Sequence, residues 1–102
     1  MDKRKQLRQL LAQKSFFIAP GAYDALTARL VEKAGFPAVK LLGNAMGASL
    51  LGLPDLGFLT LTEVVNHSRN VVAAVNIPLM VDTDTGFSAG PLGIIRTVRE
   101  FE

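Results

Sequence analysis

Cysteine, long apolar runs and histidine are the features that this 102-residue sequence lacks or nearly lacks. With no cysteine, disulfides and thiolate metal sites are excluded. A bilayer span needs about 18 or more consecutive apolar residues, and the longest near-apolar stretch, 45–53, is short and interrupted, so we expect no membrane partner. The single histidine, His67, has no serine–aspartate setting for triad chemistry and is predicted to be a surface or packing residue.

Charge and composition narrow the function classes further. The net charge is only +2, and the basic residues cluster near the N-terminus without interleaved aromatics. Because nucleic-acid surfaces combine a basic stripe with aromatic side chains, we expect no nucleic-acid partner. No apolar signal core follows the basic start, so the cytoplasm is the expected compartment. A hydrophobic content of 49% with 20% charged residues is typical of a globular protein.

Helical and strand patterns alternate along the chain. After a helix capped by Asp2 and running to about Gln13, short apolar runs rich in strand formers are followed by segments with helical periodicity. The predicted strands are 16–19, 38–42 and 79–82, and the predicted later helices are 24–34, 45–51, 62–75 with Thr60 or Thr62 as its cap, and one beginning near Pro91. This alternation predicts an α/β fold with a parallel sheet built from right-handed crossovers.

Two aspartates follow the third predicted strand, at Asp82 and Asp84. Parallel α/β barrels carry their active sites at the carboxyl ends of the strands, so both carboxylates would lie there. Hard oxygen ligands suit Mg²⁺, which commonly takes one or two carboxylates and keeps several waters. Turn formation by aspartate is the competing interpretation, because its side chain also binds nearby backbone N–H groups.

Two further signals follow the second predicted strand. Asp55, in a Gly- and Pro-containing loop, could project a carboxylate toward the same edge, or could simply be a turn residue. The segment Leu42, Gly43 and Asn44 ends the strand, and glycine there would let a ligand approach backbone N–H groups that can hold an anion. The alternative is a glycine that only ends the strand.

Five segments in order carry a family resemblance: PGAYDA (20–25), AGFPA (34–38), LGLPD (51–55), VDTDTGF (81–87) and RTVREF (96–101). With these segments the sequence resembles the isocitrate lyase/phosphoenolpyruvate mutase superfamily, in the branch of 2-methylisocitrate lyase, carboxyphosphonoenolpyruvate phosphonomutase and oxaloacetate decarboxylase-like enzymes. The resemblance extends from about residue 10 to the last residue. It implies the first three βα units of a (β/α)8 TIM-type barrel, preceded by an N-terminal helix.

The helical pattern at 96–102 has no stop signal, and three strands cannot close a barrel of eight strands. We therefore expect residues 1–102 to be the N-terminal part of a single barrel domain that is truncated here.

The resemblance also implies a function. Members are Mg²⁺-dependent enzymes that make or break C–C or P–C bonds beside an α-keto acid through an enolate, and they are usually oligomeric, with homotetramers expected. Carried over by position, Asp82 and Asp84 correspond to the metal carboxylates and Asp55 to a catalytic aspartate. Leu42, Gly43 and Asn44 correspond to the substrate-binding segment, so the expected partner is a small α-keto or 2-hydroxy carboxylate.

Four positions depart from the family pattern. Lys40 and Leu42 stand where the family usually has an aromatic residue and a serine, and Ser88 and Ala89 replace a common Gly-Asn pair. These departures leave open whether the chemistry is that of a lyase, a mutase or a decarboxylase. They also motivate the alternative of a non-catalytic truncated fragment or degenerate paralogue that needs self-association to fold.

Overall fold

Five helices and three short strands alternate along residues 2–102, the part of the chain described by the computed structural model. The strands are β1 (Gly21–Ala22), β2 (Val39–Leu41) and β3 (Leu79–Val81), and the helices are α1 (Lys3–Ala12), α2 (Ala25–Lys33), α3 (Gly43–Leu51), α4 (Leu61–Ala74) and α5 (Pro91–Phe101). All strand pairs are parallel, in the order β1-β2-β3. The predicted parallel α/β architecture is confirmed.

Capping side chains set where the helices begin. Asp24 accepts a hydrogen bond from the Thr27 N–H at 2.8 Å while the Thr27 hydroxyl reaches back to the Asp24 N–H, which forms a capping box. Thr60, rather than Thr62, makes the equivalent box with Glu63 at the start of α4. These pairs satisfy N–H groups that have no partner within the helix.

The first predicted strand, 16–19, is wrong. Its residues form no ladder, and the Phe16 side chain is 87% exposed. The strand lies instead at Gly21–Ala22, directly after Pro20. Proline has no backbone N–H to donate, but its carbonyl can still accept, and the Pro20 carbonyl accepts from the Lys40 N–H at 2.9 Å. A proline just before a strand can therefore take part in the first hydrogen bond between the two strands.

The two faces of β2 have opposite environments. Val39 and Leu41 are fully buried and belong to the core with Ala28, Val64 and Val71 of helices α2 and α4. Lys40, between them, is exposed on the other face. Alternation of side chains along a strand thus divides the sheet into a packed face and an open one.

Polar contacts join the helices around this core. The Lys3 ammonium donates to the carbonyls of Val72 and Val75, both at 2.5 Å, so α1 supplies the cation that the end of α4 lacks in its own sequence. His67 Nε2 lies 2.6 Å from the carbonyl oxygen of Tyr23, which joins α4 to the segment before α2. Within residues 2–102, every helix is too short or too polar to cross a membrane.

Candidate functional site

A small cleft of about 80 Å³ opens at the carboxyl edge of the sheet. It is bounded by the start of α3, the loop 52–60 and the loop that follows β3. Its polar lining comes from Asp55, Asp82 and Asp84, and its apolar lining includes Met46, Phe58, Leu59, Val64 and Phe87. The structure therefore brings together the three aspartates that the sequence singles out.

Asp82 continues the pattern of β3 beyond the strand itself. Its N–H donates to the Leu41 carbonyl at 3.1 Å, and its Oδ1 accepts from the Asp84 N–H at 2.9 Å. Asp84 adopts a left-handed conformation with φ of 51°, which aspartate tolerates better than most residues. The turn that competed with the metal interpretation is present, yet it occupies only one Asp82 oxygen and leaves the Asp84 carboxylate without a hydrogen bond from residues 2–102.

Two glycines make room for these carboxylates. A Cβ at Gly43 would lie 2.9 Å from Asp82 Oδ2, and one at Gly57 would lie 3.2 Å from Asp84 Oδ2. The predicted role of Gly43 in admitting a ligand stays a prediction, and the structure adds that an added side chain there would meet the Asp82 carboxylate. Gly57 was not predicted to contribute. Its place two residues after Asp55 is the signal in the sequence that could have indicated it, and the structure gives it a φ of 75°.

The other predicted substrate-binding residues lie outside the cleft lining. Leu42 is the N-cap residue of α3, and its side chain packs over Gly21, where a Cβ would overlap it. Asn44 is exposed in the first turn of α3, and its Oδ1 accepts from the Ala45 N–H at 2.8 Å. Of this segment, only Gly43 borders the cleft.

Thr97 is a further contributor that the sequence did not reveal. Its hydroxyl, on α5 and almost fully buried, donates to the Gly86 carbonyl at 2.6 Å. This bond ties the loop bearing Asp82 and Asp84 to the following helix. No local pattern indicates it, because Thr97 and Gly86 are eleven residues apart.

The charge around the cleft is one-sided. No lysine or arginine belongs to the lining, and none of Asp55, Asp82 and Asp84 forms an ion pair with any residue in 2–102. Carboxylates without a countercharge at one opening favour a bound cation. Within the described residues, no three acidic or histidine side chains lie close enough to share one ion. Two carboxylates at one opening, Asp82 and Asp84, are a donor set of the kind that Mg²⁺ takes when it keeps several waters.

Comparison with known proteins gives a consistent result. A family model for phosphoenolpyruvate phosphomutase matches residues 7–102. The chain is 43% identical to 2,3-dimethylmalate lyase of Eubacterium barkeri over 100% of this chain and 35% of that protein. It is 46% identical to 2-methylisocitrate lyase of Halalkalibacterium halodurans over 93% of this chain and 31% of that enzyme.

A solved structure extends the match to three dimensions. The crystal structure of phosphonopyruvate hydrolase in complex with oxalate and Mg²⁺ superposes with a TM-score of 0.92 at 32% identity, covering 99% of this chain and 35% of that one. The chain spans about a third of the length of the curated relatives that it matches. The predicted fold, the first part of a barrel of this kind, is confirmed, and the chain belongs to the isocitrate lyase/phosphoenolpyruvate mutase superfamily.

Proposed function

We propose that the chain forms part of a Mg²⁺-dependent lyase that cleaves or forms C–C bonds, or P–C bonds, next to an α-keto acid through an enolate. The observation that carries the proposal is the cleft in which Asp55, Asp82 and Asp84 converge without a basic side chain. Relatives named as 2,3-dimethylmalate lyase and 2-methylisocitrate lyase support carbon–carbon cleavage. Because these relatives are enzymes, they do not favour the alternative of a non-catalytic fragment.

Asp82 and Asp84 would hold the cation. Bound there, Mg²⁺ would polarise the substrate carbonyl and stabilise negative charge that develops on its oxygen. The hydrogen bond from the Asp84 N–H fixes the Asp82 carboxylate, and Thr97 fixes the loop through Gly86. Such outer contacts orient ligands and normally matter nearly as much as the ligands themselves.

The substrate would be a small α-keto or 2-hydroxy carboxylate. Oxalate, the ligand in the phosphonopyruvate hydrolase complex, is a small dicarboxylate, which supports a small carboxylate as the class of ligand. The first N–H groups of α3, at Gly43 and Asn44, have no helical partner and no capping side chain from Leu42. They would donate to a substrate carboxylate, since a helix N-terminus favours anions.

Asp55 would act as the catalytic carboxylate. Cleavage of a 2-hydroxy acid requires loss of the hydroxyl proton as the C–C bond breaks, and the bond's electron pair passes to the departing enolate fragment. Asp55 is exposed and lines the cleft, so its carboxylate is available to accept that proton.

The test is turnover by the complete gene product with 2-methylisocitrate and 2,3-dimethylmalate, followed through the 2-keto acid released. We expect activity that EDTA abolishes and Mg²⁺ restores. Asp82→Asn and Asp84→Asn should each lower kcat/KM by about 100-fold or more, since a metal supplies several kcal/mol. Asp24→Asn, which changes a carboxylate outside the cleft lining, is the matched control. Full activity in EDTA would contradict the proposal.

We extend the proposal to a cytoplasmic homo-oligomer. Large apolar side chains are exposed on the described surface, including Phe16 at 87% and Leu92 at 81%. Extended apolar exposure is typical of a surface that another element or subunit covers. Sedimentation of the complete gene product would give the oligomeric state, and a monomer across the micromolar range would contradict this part of the proposal.

A further inference from the structure

Lys40 is a charged residue where a parallel sheet normally has none. It lies at the centre of β2, the middle strand, in register with Gly21 of β1 and Met80 of β3. Strands of parallel sheets usually read as continuous apolar runs, because both faces are covered. Val39 and Leu41 follow that rule on the packed face, whereas Lys40 places an ammonium group on the open face.

Asp82 belongs to the same face as Lys40. It follows Met80, the register partner of Lys40, by two residues, and its N–H still donates to the ladder at the Leu41 carbonyl. From strand rise and spacing, the Cα atoms of Lys40 and Asp82 are about 8 Å apart. Neither side chain forms an ion pair within residues 2–102. An unpaired ammonium group and an unpaired carboxylate therefore belong to the same face of the sheet, on neighbouring strands.

We propose that Lys40 is a specificity-determining residue that contacts the substrate's second anionic group, on the side opposite the cation held by Asp82 and Asp84. The inference rests on the proposed function, because it needs that cation. A substrate bound between the two would carry two anionic groups, one near the cation and one at the Lys40 ammonium.

Leu42 restricts the chemistry of this contact. It follows Lys40 by two residues on the same strand, and its side chain packs over Gly21. The leucine side chain has no hydrogen-bond donor. Among the side chains of β2 and Leu42, only Lys40 can therefore donate a hydrogen bond to a ligand. Because an ammonium group carries three N–H donors and a full charge, this position selects for anionic charge rather than for a neutral hydroxyl.

Oxalate and oxamate are the probes, because they have nearly the same shape but differ by one negative charge. Their affinities are measured calorimetrically on the Mg²⁺-loaded complete gene product, for the wild type, Lys40→Met and Lys40→Arg. We expect Lys40→Met to lose about ten-fold in oxalate affinity and much of the preference for oxalate over oxamate. Lys40→Arg should retain most of both, and Lys14→Met, another exposed lysine, should change neither.

Mg²⁺ affinity separates this role from a structural one. Removing a positive charge should leave Mg²⁺ binding equal or slightly tighter in Lys40→Met, whereas a distorted site would weaken it. If Lys40→Met is poorly folded by circular dichroism, Lys40→Gln replaces it. Undiminished oxalate affinity and preference in the folded variant would overturn the role of Lys40 alone. Absence of Mg²⁺-dependent oxalate binding in the wild type would overturn the proposed function together with it.

Discussion

Gly43→Ala is the substitution that most directly tests how the acidic cleft is built. The added Cβ would lie 2.9 Å from Asp82 Oδ2 and 3.2 Å from its Cγ, both too close for unperturbed packing. The carboxylate must therefore rotate away from α3. That rotation breaks or lengthens the bond between Asp82 Oδ1 and the Asp84 N–H, which is now 2.9 Å.

Two opposing terms decide the effect on stability. Alanine in a helix is about 0.5–1 kcal/mol more stabilising than glycine, because its backbone loses less conformational freedom on folding. A hydrogen bond to a charged group contributes about 1.5–3 kcal/mol, and the lower end applies because Asp82 is exposed. We expect a net loss of about 0.5–1 kcal/mol in the free energy of unfolding. Contacts of this kind typically change metal affinity by about 10–100-fold, so Mg²⁺ binding should weaken much more than stability does.

Calorimetric Mg²⁺ titration and urea unfolding of the same preparation separate the two effects. Gly47→Ala is the matched control in the same helix, because its Cβ would meet only the Leu53 carbonyl oxygen, at 3.8 Å. That variant should gain stability by helix propensity and keep its Mg²⁺ affinity. If Gly43→Ala binds Mg²⁺ as the wild type does, Asp82 is either not a ligand or not confined by α3, and the reasoning fails.

Three further substitutions test contacts made by residues outside the cleft lining. Hydrogen bonds, first from the Thr27 backbone N–H and then from its side chain, lower the pKa of Asp24 below its ordinary 3.8. Its stabilising contribution is therefore full above that value and lost as the pH falls through the lower folded pKa. Asparagine also caps helices but does not titrate, so the free energy of unfolding of Asp24→Asn, measured with urea at pH 2–5, should fall less with acid than that of the wild type. The same fall in both proteins would contradict this prediction. Lys3→Met should lower the free energy of unfolding by about 1–2 kcal/mol, because the carbonyls at the end of α4 lose a charged donor, and an unchanged urea midpoint would refute that role. Thr97→Val should cost about 1–3 kcal/mol by leaving the Gly86 carbonyl unpaired, and should also weaken Mg²⁺ binding several-fold. If calorimetry gives the variant the Mg²⁺ affinity of the wild type, the hydrogen bond from α5 does not support the metal site.

Local signals in the sequence predicted most of the fold. Helix starts at Asp2, Asp24 and Thr60 follow from side chains that bond N–H groups two or three residues on, so a short window contains the whole interaction. The predicted helix at 45–51 is confirmed but begins two residues earlier, at Gly43, because its N-cap Leu42 provides no capping side chain to mark the start. Apolar runs also located β2 and β3.

The error at β1 has a physical origin. Residues 16–19 have strand-forming side chains, but strand formation requires a neighbouring strand as well as propensity. The partner β2 pairs with Gly21 and Ala22, and its Lys40 N–H donates to the Pro20 carbonyl. Register with a strand some twenty residues away decided the position, and no pattern within 16–22 contains that information.

The candidate site was predictable in its carboxylates but not in the spaces that hold them. Asp55, Asp82 and Asp84 could be selected because carboxylates after strands of a parallel sheet meet at one edge. The proximity of Gly43 to Asp82, and of Gly57 to Asp84, depends on how two separate loops close over that edge. Such a distance is a property of the assembled chain, so a glycine in the sequence cannot show which carboxylate it will face.

Core packing and site formation depend on one choice of strand register. Leu79 and Val81 pack against the core together with Val39 and Leu41, which fixes the alternation of both strands. Asp82 and Lys40 are then necessarily on the open face. A slip of one residue would turn the Asp82 carboxylate toward the buried face, where desolvation of the charge would oppose folding. The apolar residues that stabilise the sheet therefore also hold the acidic and basic groups on either side of the proposed substrate position.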